Sequence, residues 1–153
     1  MLKISYNKTL LKDSFINNID SAISSKRKKY ADYHKTVFHI HTPASHDYRL
    51  LESENADYYS KMSDEEMYLL AMKKQLFPEN SLSYEDALDI ATQNKHFETP
   101  KEYFAYLLIA KKLSDENIKL AIITDHNTIS GYEKLVEAVN IVHKTFVNKV
   151  YTN

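Results

Sequence analysis

The chain has 153 residues, of which 27% are charged and 43% are hydrophobic, and its formal net charge at pH 7 is −1. This composition excludes a disordered chain and a strongly basic protein that binds polyanions through its net charge. The absence of cysteine excludes disulfide bonds and thiolate metal sites, and no run of about 20 apolar residues is present to span a bilayer, so we expect a cytoplasmic protein without a membrane partner.

Residues 1–35 are predicted to form an N-terminal helix, because apolar side chains recur at helical spacing between Thr9 and Lys29. The helix ends in a basic cluster at residues 26–29. Such a cluster could contact a phosphate backbone, but cations in the last turn of a helix are also favoured by the helix dipole. We therefore interpret the cluster as a feature of the helix end.

Residues 36–49 carry the first candidate metal motif. The apolar run that contains His39 and His41 is typical of a short buried strand, in which alternate side chains point to the same face. The two imidazoles therefore share a face, and together they form half of a transition-metal site. A purely structural role for the two histidines is the alternative.

The loop after this strand, residues 42–49, is predicted from Pro43 and from its small polar residues. We expect this loop to form the floor of the site and Asp47 to bind a metal. His46 is an alternative ligand. Arg49 could hold a phosphate oxygen or form a surface ion pair.

Residues 50–98 are predicted to form a mainly helical insert. Ser63 and Ser83 are each followed by acidic residues, a pattern that indicates the start of a helix, and Pro78 ends the first of these two helices. We interpret the acidic residues as partners of the helix dipole in preference to a pair of metal ligands.

Residues 99–153 carry the second candidate metal motif. A helix is predicted from Thr99, with proline at its first position, and a second short buried strand follows at residues 121–123. This strand leads into Asp125 and His126. The order strand, helix, strand predicts a parallel, right-handed crossover, which brings the C-terminal ends of both strands to one edge.

The last element is predicted to be a helix from Ile129 to about Lys144, again from helical spacing of apolar residues. Val147–Tyr151 shows apolar alternation and is predicted to begin another strand. Gly131 is the single glycine of the chain. This scarcity favours helices and long connections over many tight turns.

The two motifs together resemble motifs one and two of the PHP family, the polymerase and histidinol phosphatase domain. The resemblance is carried by the stretch from His39 to Ser45 with Asp47 beyond it, and by the stretch from Ile123 to Asn127 with Gly131-Tyr132. It implies a distorted (β/α) barrel, a cluster of up to three metals at the C-terminal ends of the strands, and hydrolysis of phosphoesters.

The resemblance also implies a role for each matching residue. His39 and His41 would bind one metal, and Asp47 and His126 would bind another. Asp125 would lie beside them as a further ligand or as a neighbouring group that supports the ligands. In the expected mechanism, Asp125 is the catalytic residue that orients a histidine or takes a proton from water. Nitrogen and oxygen donors suit zinc, manganese or iron, and the sequence does not choose among these ions.

The later ligands of the family are a glutamate that ends the next strand, further histidines and a late Asp-x-His pair, and they have no counterpart in these 153 residues. We therefore expect an α/β fold that is a single, partial PHP-type (β/α) barrel, with few parallel strands and a mainly helical insert. It would be a truncated, N-terminal portion of a catalytic domain with a C-terminal continuation.

The expected function is metal-dependent hydrolysis of a phosphoester substrate, such as a nucleic acid or a nucleotide, through metal-activated water. One alternative is a noncatalytic or degenerate PHP-like module that docks to a partner such as an ATPase domain. Another is a structural helical domain in which the histidines are incidental.

Overall fold

A computed structural model describes residues 34–51, 53–77, 82–126 and 128–150, and it describes the side chains as far as residue 144. The helix predicted between Thr9 and Lys29 lies outside the described residues. The described part is mixed α/β, with two strands and five helices. In chain order, these elements are β1 (Thr36–Ile40), α1 (Asp57–Lys61), α2 (Asp64–Lys73), α3 (Tyr84–Gln93), α4 (Pro100–Asp115), β2 (Leu120–Ile123) and α5 (Ser130–Val150).

The two strands form a parallel sheet, which confirms the predicted parallel pairing. Thr36 is opposite Leu120 and Val37 is opposite Ala121, but Ile40 is opposite Ile123, so the register shifts by one residue along the strands. Because the strands run in the same direction, the residues that follow Ile40 and Ile123 lie at one edge of the sheet. This edge carries both sequence motifs.

The prediction that both strands are buried is wrong for the described residues. Phe38 on β1 is 71% exposed and Leu120 on β2 is 53% exposed. Parallel sheets are normally covered on both faces. Here the described helices pack mainly on one another. They leave the apolar face of the sheet that carries Phe38 and Leu120 exposed.

Helix α4 is the centre of the hydrophobic core, because α2, α3 and α5 all pack against it. It begins at a well-formed N-terminus, where the Thr99 side chain accepts a hydrogen bond from the backbone N–H of Glu102 and proline occupies the first turn. Its buried side chains come from several faces of the helix, as expected for a helix that is surrounded. They are Tyr103, Phe104, Ala105, Tyr106, Leu107 and Ala110.

The helical insert also begins its helices where the sequence predicts. Ser63 and Glu66 form a reciprocal capping box at the start of α2, and Ser83 accepts a hydrogen bond from Asp86 N–H at the start of α3. The acidic residues of these first turns therefore act at helix N-termini.

Among the helices of the described residues, none is long and apolar enough to cross a membrane.

Two of the described helices end on a residue in the left-handed region of backbone space. Gln75 follows α2 with φ 56°, and Asn117 follows α4 with φ 53°. Glycine is the residue that adopts this conformation with the least strain. The chain uses a glutamine and an asparagine at these two positions, so its single glycine serves another purpose.

Helix α5 is longer than predicted. It continues to Val150, so the strand predicted to begin at Val147 is wrong. The physical reason is that neither glycine nor proline separates Lys144 from Val150, and the helix that has already formed continues through the short alternating segment.

An ion-pair network joins α5 to the N-terminal end of α4. The ammonium group of Lys134 lies 2.7 Å from Glu102 and 3.1 Å from Glu98. Burial opposes the charge of Lys134, but the hydrogen bonds to the two glutamates raise its pKa above the ordinary value. The network helps to fix the start of α5 relative to α4, and both helices contribute to the edge described below.

Leucine-to-alanine substitutions test the central position of α4. Leu107 is 2% exposed on α4, whereas Leu69 on α2 is 57% exposed. We expect Leu107→Ala to lower the free energy of unfolding by about 2 to 5 kcal/mol, because it leaves a cavity among packed helices. The matched Leu69→Ala variant should change it by about 0.5 kcal/mol or less. Urea denaturation followed by circular dichroism measures both, and equal losses would contradict the assignment of the core.

Candidate metal centre

Three predicted ligands converge at the C-terminal edge of the sheet. His41, Asp47 and His126 each offer a ligand atom, and these atoms lie within 4.8 Å of one another. The Asp47 carboxylate lies between the two imidazoles, with Oδ1 2.8 Å from His41 Nδ1 and Oδ2 3.3 Å from His126 Nε2. The parallel pairing of β1 and β2 thus brings together residues that are far apart in the sequence.

The remaining ring nitrogen of His41 is left without a hydrogen-bond partner among the described residues. Nε2 of His41 is buried, and among the buried side-chain atoms of the described residues it is the one that lacks a hydrogen-bond partner. A buried polar atom without a partner is unfavourable in a folded protein. Two imidazoles and a carboxylate are also a donor set that zinc, manganese and iron accept. The residues present therefore fit a metal ion.

His39 and His46 lie beside this group of three. The ring centres of His39 and His41 are 4.5 Å apart, as expected for two side chains on the same face of a strand. His39 Nδ1 is 3.1 Å from the Thr124 hydroxyl. The ring of His46 lies 5.2 Å from that of His126, centre to centre, and both His39 and His46 are exposed. Neither histidine belongs to the group of three, and the predicted binding of a metal by His39 stays a prediction.

Asp125 lies beside the candidate ligands and contacts Thr42. Its Oδ1 accepts a hydrogen bond from the Thr42 backbone N–H at 2.6 Å, and its Oδ2 accepts one from the Thr42 hydroxyl at 2.5 Å. Asp125 is not part of the three-residue group. Its predicted role at the metal stays a prediction, while its observed contacts join the ends of the two strands.

Ser45 holds Asp47 in place and keeps it charged. The buried Ser45 hydroxyl donates a hydrogen bond to Asp47 Oδ1 at 2.6 Å and accepts one from the His126 backbone N–H at 3.3 Å. The hydrogen bond from Ser45 is the main cause that lowers the pKa of Asp47 to about 2. Partial desolvation opposes this effect, and positive charge on His41 and His126 adds to it. Asp47 is therefore a carboxylate at neutral pH.

Three residues near the site were not assigned a task from the sequence. Thr42 and Ser45 were placed in the loop only, and Tyr106, whose hydroxyl lies 2.9 Å from that of Thr42, was not connected to the site. The signal for Thr42 and Ser45 was their position next to the candidate ligands, where short hydroxyl side chains can bond to the backbone. Tyr106 lies within an apolar helical pattern, which carries no such signal.

Comparison with known proteins shows a similarity in sequence. The chain is 30% identical over 132 residues to an uncharacterized protein of Streptococcus pneumoniae serotype 4 (strain ATCC BAA-334 / TIGR4), and the match covers 86% of this chain and 49% of that protein. The chain thus spans about half the length of the curated relative that it matches. No protein-family model and no solved structure matches the chain.

The hydrogen bond from Ser45 predicts how Asp47 titrates. Because the pKa of Asp47 is lowered on folding, its carboxylate stabilises the protein above its unfolded pKa, and this contribution is lost as the pH falls towards 2. We expect Ser45→Ala to raise the pKa of Asp47 and to move acid unfolding to higher pH. NMR of the carboxyl carbons in the metal-free protein measures the first effect. Ser60→Ala, in α1, is the matched control, and an unchanged Asp47 titration in Ser45→Ala would contradict this account.

Proposed function

We propose that this chain is the metal-binding part of a metal-dependent phosphoesterase of the PHP type. The single observation that carries the proposal is the convergence of His41, Asp47 and His126 where two parallel strands end. In barrels built from parallel strands, active sites lie at this end of the strands. The two-stranded sheet would be the beginning of a partial (β/α) barrel, with the later ligands of the family supplied by additional polypeptide.

In this proposal, His41, Asp47 and His126 hold a divalent ion of zinc, manganese or iron. The ion, when bound, supplies an activated water and neutralises the charge that develops on phosphoryl oxygens. Asp47 brings a negative charge between the two imidazoles, which favours a cation there. The buried Ser45 hydroxyl orients that carboxylate, so the donor atoms are positioned before an ion arrives.

The exposed histidines around the group are suited to contact the substrate. His39 and His46 lie next to the three ligands and keep their rings accessible to solvent. An imidazole N–H can donate a hydrogen bond to a phosphoryl oxygen. His126 is half-exposed, so the group opens to the surface rather than into a closed cavity. Such an open site suits nucleic-acid ends, nucleotides and small phosphomonoesters alike, and the proposal names phosphoesters as the substrate class.

Metal binding by the isolated chain is the first test. We expect Zn²⁺ or Mn²⁺ to bind in isothermal titration calorimetry, and His41→Ala and Asp47→Asn each to weaken binding by about 100-fold or more, since partners outside the ligand set alone are worth about 10- to 100-fold. His96→Ala is the matched control, because His96 is exposed on a connector of the insert and is not part of the group. Equal binding by all variants would contradict the proposed site.

Hydrolysis is the second test. The metal-loaded chain, as part of the longer polypeptide that supplies the later ligands, should release p-nitrophenol from p-nitrophenyl phosphate or bis(p-nitrophenyl) phosphate. This activity should disappear in His41→Ala, persist in His96→Ala, and return on adding metal after treatment with a chelator. Metal binding without hydrolysis would contradict phosphoesterase activity of this chain, and it would favour the noncatalytic module.

A further inference from the structure

Four elements meet at a buried hydroxyl next to the candidate metal centre. Thr42 follows β1, Asp125 follows β2, Tyr106 lies on α4 and Gly131 lies in the first turn of α5. Thr42 and Tyr106 are fully buried. Both oxygens of the Asp125 carboxylate accept hydrogen bonds from Thr42, one from the backbone and one from the side chain. The carboxylate therefore links the ends of two strands whose residues are 83 positions apart in the sequence.

The direction of the hydrogen bonds follows from the number of protons. The Thr42 hydroxyl has one proton, and it donates this proton to Asp125. The Tyr106 hydroxyl lies 2.9 Å from the same Thr42 oxygen, so Tyr106 must be the donor in that pair. Burial raises the pKa of Tyr106 to about 12, which keeps the phenol protonated at neutral pH. The chain of donors therefore runs from Tyr106 through Thr42 to Asp125.

Gly131 provides the space for this arrangement. A β-carbon at position 131 would come closer than 3.0 Å to both Oδ2 of Asp125 and Oγ1 of Thr42, a separation that real β-carbons essentially never show. No glycine with positive φ occurs in the described residues, so the requirement is close approach and not an unusual backbone conformation. The single glycine of the chain lies where the backbone of the first turn of α5 approaches the Asp125–Thr42 pair closely.

We infer that Asp125, Thr42 and Gly131 form a positioning clamp that sets the location of Asp47 between His41 and His126. Asp125 acts through Thr42 and not on the substrate. This inference rests on the metal site proposed above and assigns it a supporting structure. It gives a task to Thr42 and Gly131, which the sequence motifs contain but do not explain, and it assigns Asp125 a positioning role.

The clamp can act on Asp47 because the loop from Thr42 to Asp47 is short and is held by internal hydrogen bonds. The Thr42 carbonyl accepts a hydrogen bond from Ser45 N–H at 2.9 Å, and the Ser45 hydroxyl donates to Asp47. Ser45 also receives the His126 backbone N–H. A displacement of Thr42 therefore moves Ser45, and with it the carboxylate. Errors of about 1 Å in the placement of such groups already matter for metal sites and catalysis.

The experiment compares four variants of the full chain. Gly131→Ala introduces the overlapping β-carbon, and Thr42→Val removes the hydroxyl while keeping the shape of the side chain and the backbone N–H. Thr42→Ser is the conservative variant that retains the hydroxyl. Leu135→Ala is the control for loss of stability alone, because Leu135 is a buried residue of α5 that does not take part in the clamp. Thr42→Val also serves as the second test should Gly131→Ala fail to fold.

The first readout is binding of Co²⁺, a spectroscopic substitute for zinc, at a temperature at which circular dichroism shows each variant to be folded. We expect Gly131→Ala and Thr42→Val to weaken Co²⁺ binding about tenfold, as loss of supporting partners does at metal sites, and to change the visible absorption bands of the ion. Thr42→Ser should regain the wild-type bands. Leu135→Ala should lower the melting temperature and keep the wild-type bands. Unchanged affinity and bands in both Gly131→Ala and Thr42→Val would overturn the inference.

The second readout needs no metal, and it separates failure of the clamp from failure of the proposed function. In metal-free protein at a fixed pH, the imidazole nitrogen resonances of His41 and His126 report their contacts with Asp47. Gly131→Ala and Thr42→Val should shift these resonances, whereas Leu135→Ala should leave them in place. If the wild-type chain binds no metal but Gly131→Ala and Thr42→Val show these shifts, the proposed function is refuted and the clamp is retained. Resonances that stay unchanged in all variants would refute the clamp, whatever the metal does.

Discussion

The parallel hydrogen bonding of β1 and β2 is the interaction on which the candidate site depends. A parallel pair needs a long crossover between its strands, and this chain uses that crossover for three helices of an insert and the central helix α4. The C-terminal ends of both strands then lie at one edge. The proximity of His126 to His41 and Asp47 is a consequence of that arrangement. An antiparallel pairing of the same strands would place His126 at the far end from His41.

Hydrophobic periodicity and helix-capping residues predicted the elements well, because both are local properties. Ser63, Ser83 and Thr99 each cap a helix where the sequence indicates one. Strand alternation likewise placed His39 and His41 on one face. The register between the strands was beyond such reasoning. The irregularity between Val37 and Ile40 changes which residues of β2 lie opposite β1, and no pattern in the sequence marks it.

The candidate site also contains residues that could be predicted from the sequence and contacts that could not. The metal-type side chains could be predicted because histidine and aspartate at the ends of strands are chemically distinctive. The partners of Asp125 could not be predicted, because any nearby hydroxyl or backbone N–H can donate to a carboxylate. Glycine gives the clearest example. Its scarcity was visible in the sequence, and Gln75 and Asn117 take the helix-end positions that favour it. Only the three-dimensional contacts at Gly131 explain why glycine is required there.

Burial separates the groups at this edge into two layers with different consequences. Thr42, Ser45 and Tyr106 are buried, and they contribute hydroxyl groups whose hydrogen bonds fix the backbone of the loop. Asp47 and His126 lie nearer the solvent, where an ion and a substrate can reach them. Changes in the outer layer should therefore act mainly on binding, whereas changes in the inner layer act on both stability and binding, because the same hydroxyls pack into the core and orient the ligands. The candidate ligands thus lie on a close-packed support that fixes their positions, as the proposed metal site requires of ligands that come from distant parts of the chain.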